Sequence, residues 1–512
     1  MPPMKKCLVI LSLLLAVAGV RAALPEPDLI AQIHFAGAQK ISAAAHFSAF
    51  TNQFCSAEAV ALRTQTANKL AAWLPGWLQA NVGATVPGGA AKLRPLFDDL
   101  QTAEWLLEAR ATANGRPDLA LAIKLDAARA QLWQANLKPF FPAASFTLSG
   151  GWLIFDAGTG AQKIGDRLAQ KISAPPTGRC SADVNWPRLA QWYPKLKELG
   201  LPETQFAVSA PDDNLLINGK FFFPENLALN LENWRVPTNT LHEPFDSFTA
   251  VRGFSAWLKS QPWAQPLAIS PEPNQLFVWA LPQIPFQTYA AVPVPDAAGA
   301  LAQAYARALP RFTGTNAAKT FLMPFTLALT NNEITWTGVP FIAPFLQAVK
   351  EPAGQFLFGG FFPNLPGRRS LPPELFERLA AKNLVFYHWE ITAQRLGDKF
   401  DLLPQLTQLG LMLTNRKQLD SLSPAGEWAK KIGPTLGNSV TEIAQTGPAE
   451  MTFTRKAPGV FTAAEMLALA NWLEADNFPG CDLKLPPRQP RRPHPKPPGT
   501  PPAAAPAPAP AH

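Results

Sequence analysis

Two histidines of this chain lie next to carboxylates, and imidazole and carboxylate groups are common general acids and bases. His242 directly precedes Glu243 in the segment TNTLHEPFD. This segment is predicted to be a loop, where an exposed histidine beside a carboxylate can act as a general base. His388 and Glu390 flank a tryptophan in VFYHWEI. The segment is predicted to be a β-strand, which puts both side chains on one face. That face either lines a pocket or meets solvent, and we favour the solvent-facing interpretation.

The common signatures of catalytic and cofactor sites are missing from the sequence. It contains no H-E-x-x-H, C-x-x-C or G-x-S-x-G and no P-loop, which are typical of zinc, redox, hydrolase and nucleotide sites. Paired carboxylates occur only as neighbours, at Asp98-Asp99 and Asp212-Asp213. The first pair is typical of a solvated helix face and the second of a turn. We therefore predict no catalytic residue, no metal site and no cofactor.

Tryptophan is frequent, with 15 copies, and two of them suggest a binding surface. Trp73 and Trp77 are four residues apart in LAAWLPGWL, a spacing that puts both on one helical face. Such a pair can stack on the rings of a ligand such as a sugar. Packing of the same face against the core is the favoured alternative, because large aromatic side chains are mostly buried.

The first residues predict export. Lys5 and Lys6 precede an apolar run at 7–20, and small residues at Val20 and Ala22 offer a cleavage site. This order is typical of a secretory signal peptide, and the run is shorter than the roughly 20 residues that span a bilayer. We expect cleavage after Ala22, a periplasmic or extracellular protein, and no transmembrane segment in the mature chain.

The net charge of +8 is concentrated at the two ends. Three positive charges lie in 1–22 and four in 486–512, with no acidic residue in either, which leaves +1 for 23–485. A nearly neutral body lacks the basic surface of a nucleic-acid-binding protein. The segment 486–512 is rich in proline and is predicted to be disordered. It either tethers the protein to an acidic polymer or is an inert tail.

Three cysteines remain after the expected cleavage: Cys55, Cys180 and Cys481. An oxidising compartment permits one disulfide with one thiol left over. The sequence leaves all three pairings open.

Short stretches of alternating polarity predict β-hairpins. EITWT at 333–337 follows an apolar run and a turn at Asn331-Asn332, and EMTFT at 450–454 follows a turn at Gly447-Pro448. Similar pairs of strands are predicted at 204–220 and 106–126. Their second strands begin near 119, 215, 334 and 450, and helical patterns lie between them. The N-terminal part is Ala-rich and helical, with a predicted break at Pro75-Gly76.

The recurring hairpins favour an α+β fold of tandem divergent units, each an antiparallel sheet with packed helices. The predicted division is a signal peptide at 1–22, an Ala-rich helical region with a hairpin at 23–145, units at 146–245, 246–352 and 353–485, and a basic disordered tail at 486–512.

The function expected from these features is that of an exported, non-catalytic cell-envelope protein with a binding or scaffolding role. Its partner would be an unknown envelope component or polymer. One alternative is an extracytoplasmic hydrolase whose active-site residues are dispersed along the chain. The other is a carrier of a hydrophobic ligand.

Overall fold

The chain forms an α+β structure in which one large antiparallel sheet is covered by helices. The computed structural model describes residues 28–43, 48–83, 85–112, 117–158, 164–173, 179–260, 269, 271–282, 287–312, 326–338, 342–362, 373–397 and 423–480. The predicted signal peptide, the predicted tail at 486–512 and Cys481 lie outside the described residues. Of the helices in these ranges, none combines the length and the apolarity that a membrane crossing needs.

The strands and helices are numbered here in chain order. The strands are β1 (Leu29–Phe35), β2 (Trp105–Arg110), β3 (Asp118–Lys124), β4 (Ser145–Ser149), β5 (Trp152–Asp156), β6 (Cys180–Val184), β7 (Glu203–Ser209), β8 (Leu215–Phe222), β9 (Ser247–Arg252), β10 (Gln275–Ala280), β11 (Thr288–Val294), β12 (Thr326–Thr330), β13 (Glu333–Thr337), β14 (Phe345–Glu351), β15 (Gly354–Gly360), β16 (Leu384–Ile391), β17 (Asn438–Gly447) and β18 (Glu450–Ala457). The helices are α1 (Ala38–Ser42), α2 (Ser48–Cys55), α3 (Ala57–Val82), α4 (Gly89–Thr102), α5 (Ala127–Leu137), α6 (Ile164–Ser173), α7 (Trp186–Trp192), α8 (Ser255–Ser260), α9 (Ala297–Phe312), α10 (Pro373–Leu379), α11 (Pro424–Ile432) and α12 (Ala463–Leu473). Short 3-10 helices lie at Pro194–Leu199 and Gly433–Thr435.

The described strands join into a single sheet through antiparallel pairs. Its order from edge to edge is β4-β5-β3-β2-β1-β6-β7-β8-β18-β17-β16-β9-β10-β11-β15-β14-β13-β12. The predicted α+β class and its antiparallel sheet are confirmed.

The strand pairings contain all four of the predicted hairpins: β2 with β3, β7 with β8, β12 with β13, and β17 with β18. In the third, Asn331 and Asn332 have φ values of 46° and 63°. Asparagine tolerates this left-handed conformation better than most residues, and two such residues in succession are typical of a two-residue hairpin turn. The turn residues therefore select this hairpin locally.

The order of the first eight strands recurs in the second half of the chain. β4-β5-β3-β2-β1-β6-β7-β8 and β14-β15-β11-β10-β9-β16-β17-β18 have the same connectivity, and the two series meet where β8 pairs with β18. β12 and β13 extend the second series at the edge. EMTFT thus lies in β18 near the middle of the sheet, whereas EITWT forms β13 in the added hairpin. The similarity of these two segments therefore does not reflect equivalent places in the sheet.

Side chains alternate between two faces of the sheet, which we call face A and face B. Face A carries Phe248 and Trp389 on β9 and β16, and face B carries their neighbours Thr249 and His388. In the second half, face A forms an aromatic core with α10, and face B packs against α9 near its edge. In the first half, α3, α4 and α5 cover face B, and α6 covers part of face A.

The predicted break at Pro75-Gly76 is wrong, because α3 runs from Ala57 to Val82 without interruption. A proline inside a helix removes one hydrogen bond, and here the packing of α3 outweighs that loss. Ala67, Ala71 and Leu78 on the same helix are all buried. The hydroxyl of Ser56 accepts a hydrogen bond from the Ala59 N–H and caps the first turn.

Candidate functional site

His388 and Glu390 lie on face B of β16 and form a cluster with Thr249 of the neighbouring strand β9. The Thr249 hydroxyl is 2.8 Å from His388 Nδ1, and His388 Nε2 is 3.3 Å from a Glu390 carboxylate oxygen. The side chains of His388 and Glu390 are 17% and 4% exposed. The solvent-facing interpretation is therefore wrong for Glu390. We call these three residues the His388 cluster.

The Glu390 carboxylate is held at the N-terminus of α12. One of its oxygens accepts hydrogen bonds from the Ala463 N–H at 2.7 Å and the Thr392 hydroxyl at 2.8 Å. Burial alone raises the pKa of Glu390, but the bonds and the charge of His388 outweigh burial, so the pKa falls to about 2. The first turn of α12 adds a favourable positive dipole end. Glu390 is thus a carboxylate at neutral pH.

A second charged pair lies on the same face. Arg455 of β18 donates to the Thr441 hydroxyl at 2.9 Å and to both oxygens of Glu465 at 2.7 and 2.9 Å. Thr441 lies opposite His388 in the pairing of β16 with β17. Glu465 also accepts from the Thr462 N–H in a capping box. These bonds join the two strands β17 and β18 to the start of α12.

The order hydroxyl, imidazole, carboxylate is the arrangement by which a histidine base activates a nucleophile while an acid orients the ring. The same bonds also fix α12 on the sheet. The His388 cluster therefore has both a chemical and a structural interpretation, and its geometry fits either.

His242 and Glu243 do not join this cluster. They lie half-buried in the loop between β8 and β9. Leu241 and Phe245 of that loop pack into the core on face A. The ring centroids of Phe245 and Trp389 are 5.5 Å apart. Face A is the side of the sheet opposite His388.

Trp73 and Trp77 lie on one side of α3, with ring centroids 6.0 Å apart. Trp73 is 39% exposed. Trp77 is half-buried and packs against the core formed by α3, α4 and α5. The pair therefore presents one open ring.

A cavity of about 340 Å³ lies where β6 ends, β7 begins and β8 ends. Such a volume is at the lower end of the range for small-molecule sites. We call it the Glu203 cavity. Its lining consists of Asn185, Pro187, Arg188, Gln191, Glu203, Phe222, Phe223 and Pro224.

Local structure positions the polar groups of the Glu203 cavity. Asn185 caps α7 by accepting the Arg188 N–H at 2.9 Å, and its amide donates to Glu203 at 2.7 Å. The Arg188 guanidinium donates to the Leu29 carbonyl at 2.6 Å. Glu203 lies directly opposite Phe222 in the pairing of β7 with β8. A carboxylate and an aromatic ring are therefore adjacent at the cavity.

Two carboxyl groups beside this cavity have raised pKa values. Burial raises the pKa of Glu203, although Arg188 and Asn185 oppose the shift. Asp183, on the neighbouring strand β6, has its pKa raised to about 6 by burial and by the charge of Glu203, against the influence of Lys171. Perturbed carboxyl groups cluster at functional sites more often than elsewhere.

Sequence reasoning missed Thr249 and every residue of the Glu203 cavity. The cavity residues come from α7 and from the ends of three strands, so no local motif marks them. The only local signal is Asn185 before Trp186-Pro187, a typical start of a helix.

The described residues contain no group of three or more histidine, cysteine, aspartate or glutamate side chains placed to hold a metal ion. Comparisons with known proteins give no match to a family model, to a curated protein or to a solved structure.

Proposed function

We propose that this chain is an exported, non-catalytic cell-envelope protein that binds a ligand in the Glu203 cavity. The observation that carries the proposal is the cavity itself, which combines two phenylalanine rings with converging polar side chains. Ligand sites typically have a mainly apolar lining with a few fixed polar groups. The predicted signal peptide at 1–22 and the absence of catalytic motifs support an exported binding protein.

The proposal includes an architecture of tandem units. The recurring strand order supports two copies of one eight-stranded unit, β1–β8 and β9–β18, with β12 and β13 added to the second. The starts of β1 and β9, at Leu29 and Ser247, are separated by about twice the average spacing of the four predicted hairpins. The domain boundaries at 145, 245 and 352 stay predictions.

The binding function is tested with the purified chain from residue 23 to 512. A panel of neutral saccharides, short peptides, polyamines and fatty acids is screened by isothermal titration calorimetry. We expect one class to bind and the Phe223→Ala variant to bind it more weakly. Phe376→Ala removes a ring that is 40% exposed on α10 and serves as the matched control. Equal binding by both variants would count against the Glu203 cavity.

The second candidate function is hydrolysis, which the contact between Thr249 and His388 specifically favours. In this reaction the Thr249 oxygen attacks the carbonyl carbon of an ester. His388 takes the hydroxyl proton and gives it to the leaving alcohol, and water then releases the acid from Thr249 by the same route. Glu390 holds the imidazole in place.

Hydrolysis is tested with p-nitrophenyl acetate as substrate. The Thr249→Ser variant keeps the hydroxyl and is expected to retain turnover, whereas Thr249→Ala is expected to lose roughly 100-fold or more. Thr330→Ala, at an exposed position of β12, is the control. Turnover by Thr249→Ala equal to that of the wild type excludes this mechanism.

A further inference from the structure

We infer that the ligand of the Glu203 cavity is a neutral carbohydrate, an inference that rests on the binding function proposed above. Two properties of the cavity lead to this class: its charges compensate each other, and its polar side chains lie next to aromatic rings. The first property disfavours charged ligands, and the second favours ligands that present both hydroxyl groups and an apolar face.

The cavity lining has no net charge. Its ionisable members are one arginine, Arg188, and one carboxylate, Glu203. The charge of Arg188 acts on Glu203 and lowers its pKa against the effect of burial. A charged ligand would bring an uncompensated net charge into this partly buried site, which is costly. A neutral ligand meets no such cost.

The polar groups of the cavity suit hydroxyl groups. Arg188 donates hydrogen bonds, Glu203 accepts them, and the amides of Asn185 and Gln191 do both. Gln191 is exposed at the rim. A sugar hydroxyl is both donor and acceptor, so a row of hydroxyl groups can satisfy this mixed set without a net charge.

The apolar part of the cavity suits the C–H face of a sugar ring. Phe222 and Phe223 are half-buried and Pro224 is exposed, so the rings are partly open at the surface. The ammonium group of Lys220 lies 6.0 Å from the centre of the Phe222 ring. This cation already occupies one approach to the ring, which disfavours a second cation from a polyamine.

A buried acceptor lies on β7 close to the cavity residue Glu203. Gln205 is two residues from Glu203 on face A of β7, and it is 6% exposed. Its side-chain oxygen has no hydrogen-bond partner among the described residues. A buried acceptor without a hydrogen-bond donor lowers the stability of the fold. A hydroxyl group of the ligand, or a water molecule bound together with the ligand, supplies such a donor.

The test compares binding of neutral oligosaccharides, tetra-alanine and spermidine by calorimetry. The saccharides are short β-linked chains of glucose and of N-acetylglucosamine. We expect at least one saccharide to bind with a Kd below about 1 mM, and Phe223→Ala to weaken it roughly 10-fold. Gln191→Ala, at an exposed position, is expected to weaken binding without affecting folding. Glu203→Gln keeps a planar hydrogen-bonding group and should stay within about 10-fold of the wild type.

The outcomes separate the inference from the proposed function. If tetra-alanine or spermidine binds, saccharides do not, and Phe223→Ala weakens that binding, the carbohydrate class is wrong and the binding function survives. If Glu203→Gln weakens saccharide binding by far more than 10-fold, the charge of Glu203 is required for recognition, which contradicts the inference that a charge-compensated site binds through neutral hydrogen bonds. If no member of the panel binds, or if Phe223→Ala and Gln191→Ala bind as the wild type does, both proposals fail.

Discussion

Replacing Asp183 by asparagine is expected to stabilise the protein at alkaline pH and to leave its stability unchanged at acid pH. Asp183 lies on face A of β6, opposite Gln32 of β1 and Gln205 of β7. Burial and the nearby charge of Glu203 disfavour its ionised form and raise its pKa from 3.8 to about 6. Asparagine has nearly the same shape and carries no charge.

The magnitude follows from the pKa difference between the folded and unfolded chain. A shift of about 2 units corresponds to roughly 3 kcal/mol, because each unit is worth about 1.4 kcal/mol. Since the folded pKa is raised, the folded chain binds the proton more tightly. The stabilising contribution of the protonated Asp183 is therefore fully present below pH 3.8 and is lost as the pH rises through 6. Partial exposure reduces the effect, so we expect a gain of about 1–3 kcal/mol at pH 8.

The assay is urea unfolding of the chain from residue 23 to 512 at pH 3.5 and pH 8, followed by tryptophan fluorescence. Asp183→Asn should have a higher midpoint than the wild type at pH 8 and the same midpoint at pH 3.5. Glu377→Gln, at an exposed position on α10, controls for the loss of a surface charge. A midpoint at pH 8 equal to or below that of the wild type would refute the proposed burial of this charge.

Three further perturbations test other parts of the fold. Glu390 has a lowered pKa of about 2, so its contribution to the stability of the fold is present above pH 4.5 and is lost as the pH falls toward 2. The urea midpoint of Glu390→Gln should therefore change less between pH 4.5 and pH 2 than the midpoint of the wild type. Equal changes of the two midpoints with pH would contradict the lowered pKa. Burial raises the pKa of Cys180 to about 12, whereas Cys55 is exposed, and neither forms a disulfide within the part of the chain that the structure describes. Iodoacetamide should therefore modify Cys55 first in the native protein, which peptide mass spectrometry detects, and equal rates would show that Cys180 is accessible. A Cβ atom on Gly219 would lie 2.4 Å from the ring of Phe206. Gly219→Ala should therefore lower the free energy of unfolding by about 1–3 kcal/mol, measured by thermal or urea unfolding. An unchanged midpoint would show that the ring moves aside at no cost.

The hairpins could be predicted from the sequence because their signals are local. Alternation of polar and apolar residues decides that a segment is a strand, and the turn residues decide where the chain reverses. Asn331 and Asn332 illustrate this, since both adopt the left-handed conformation that the turn needs. The helical patterns between the hairpins are local signals as well, and α9 (Ala297–Phe312) is one of the helices found there.

The strand order could not be predicted, because it depends on contacts between segments far apart in the chain. β18 pairs with β8, which lies more than 200 residues earlier in the chain. The sequence of neither strand indicates the other as its partner. The site residues depend on this order. His388 meets Thr249, 139 positions earlier, only because β16 lies beside β9. The repeated hairpins were visible in the sequence, whereas their places in the sheet were not.

The two candidate sites lie on opposite faces of one sheet, and the placement of the cores explains why. Around β6 and β7, face B packs into the core through residues such as Phe206, so polar side chains such as Asp183 lie on face A. Around β9 and β16, face A holds the aromatic core with Phe248, so face B carries His388. Since side chains alternate along a strand, a half that buries one face against its main core has the other face available for polar groups. The change of the main core from face B in the first half to face A in the second therefore places the two groups of polar side chains on opposite faces of the sheet.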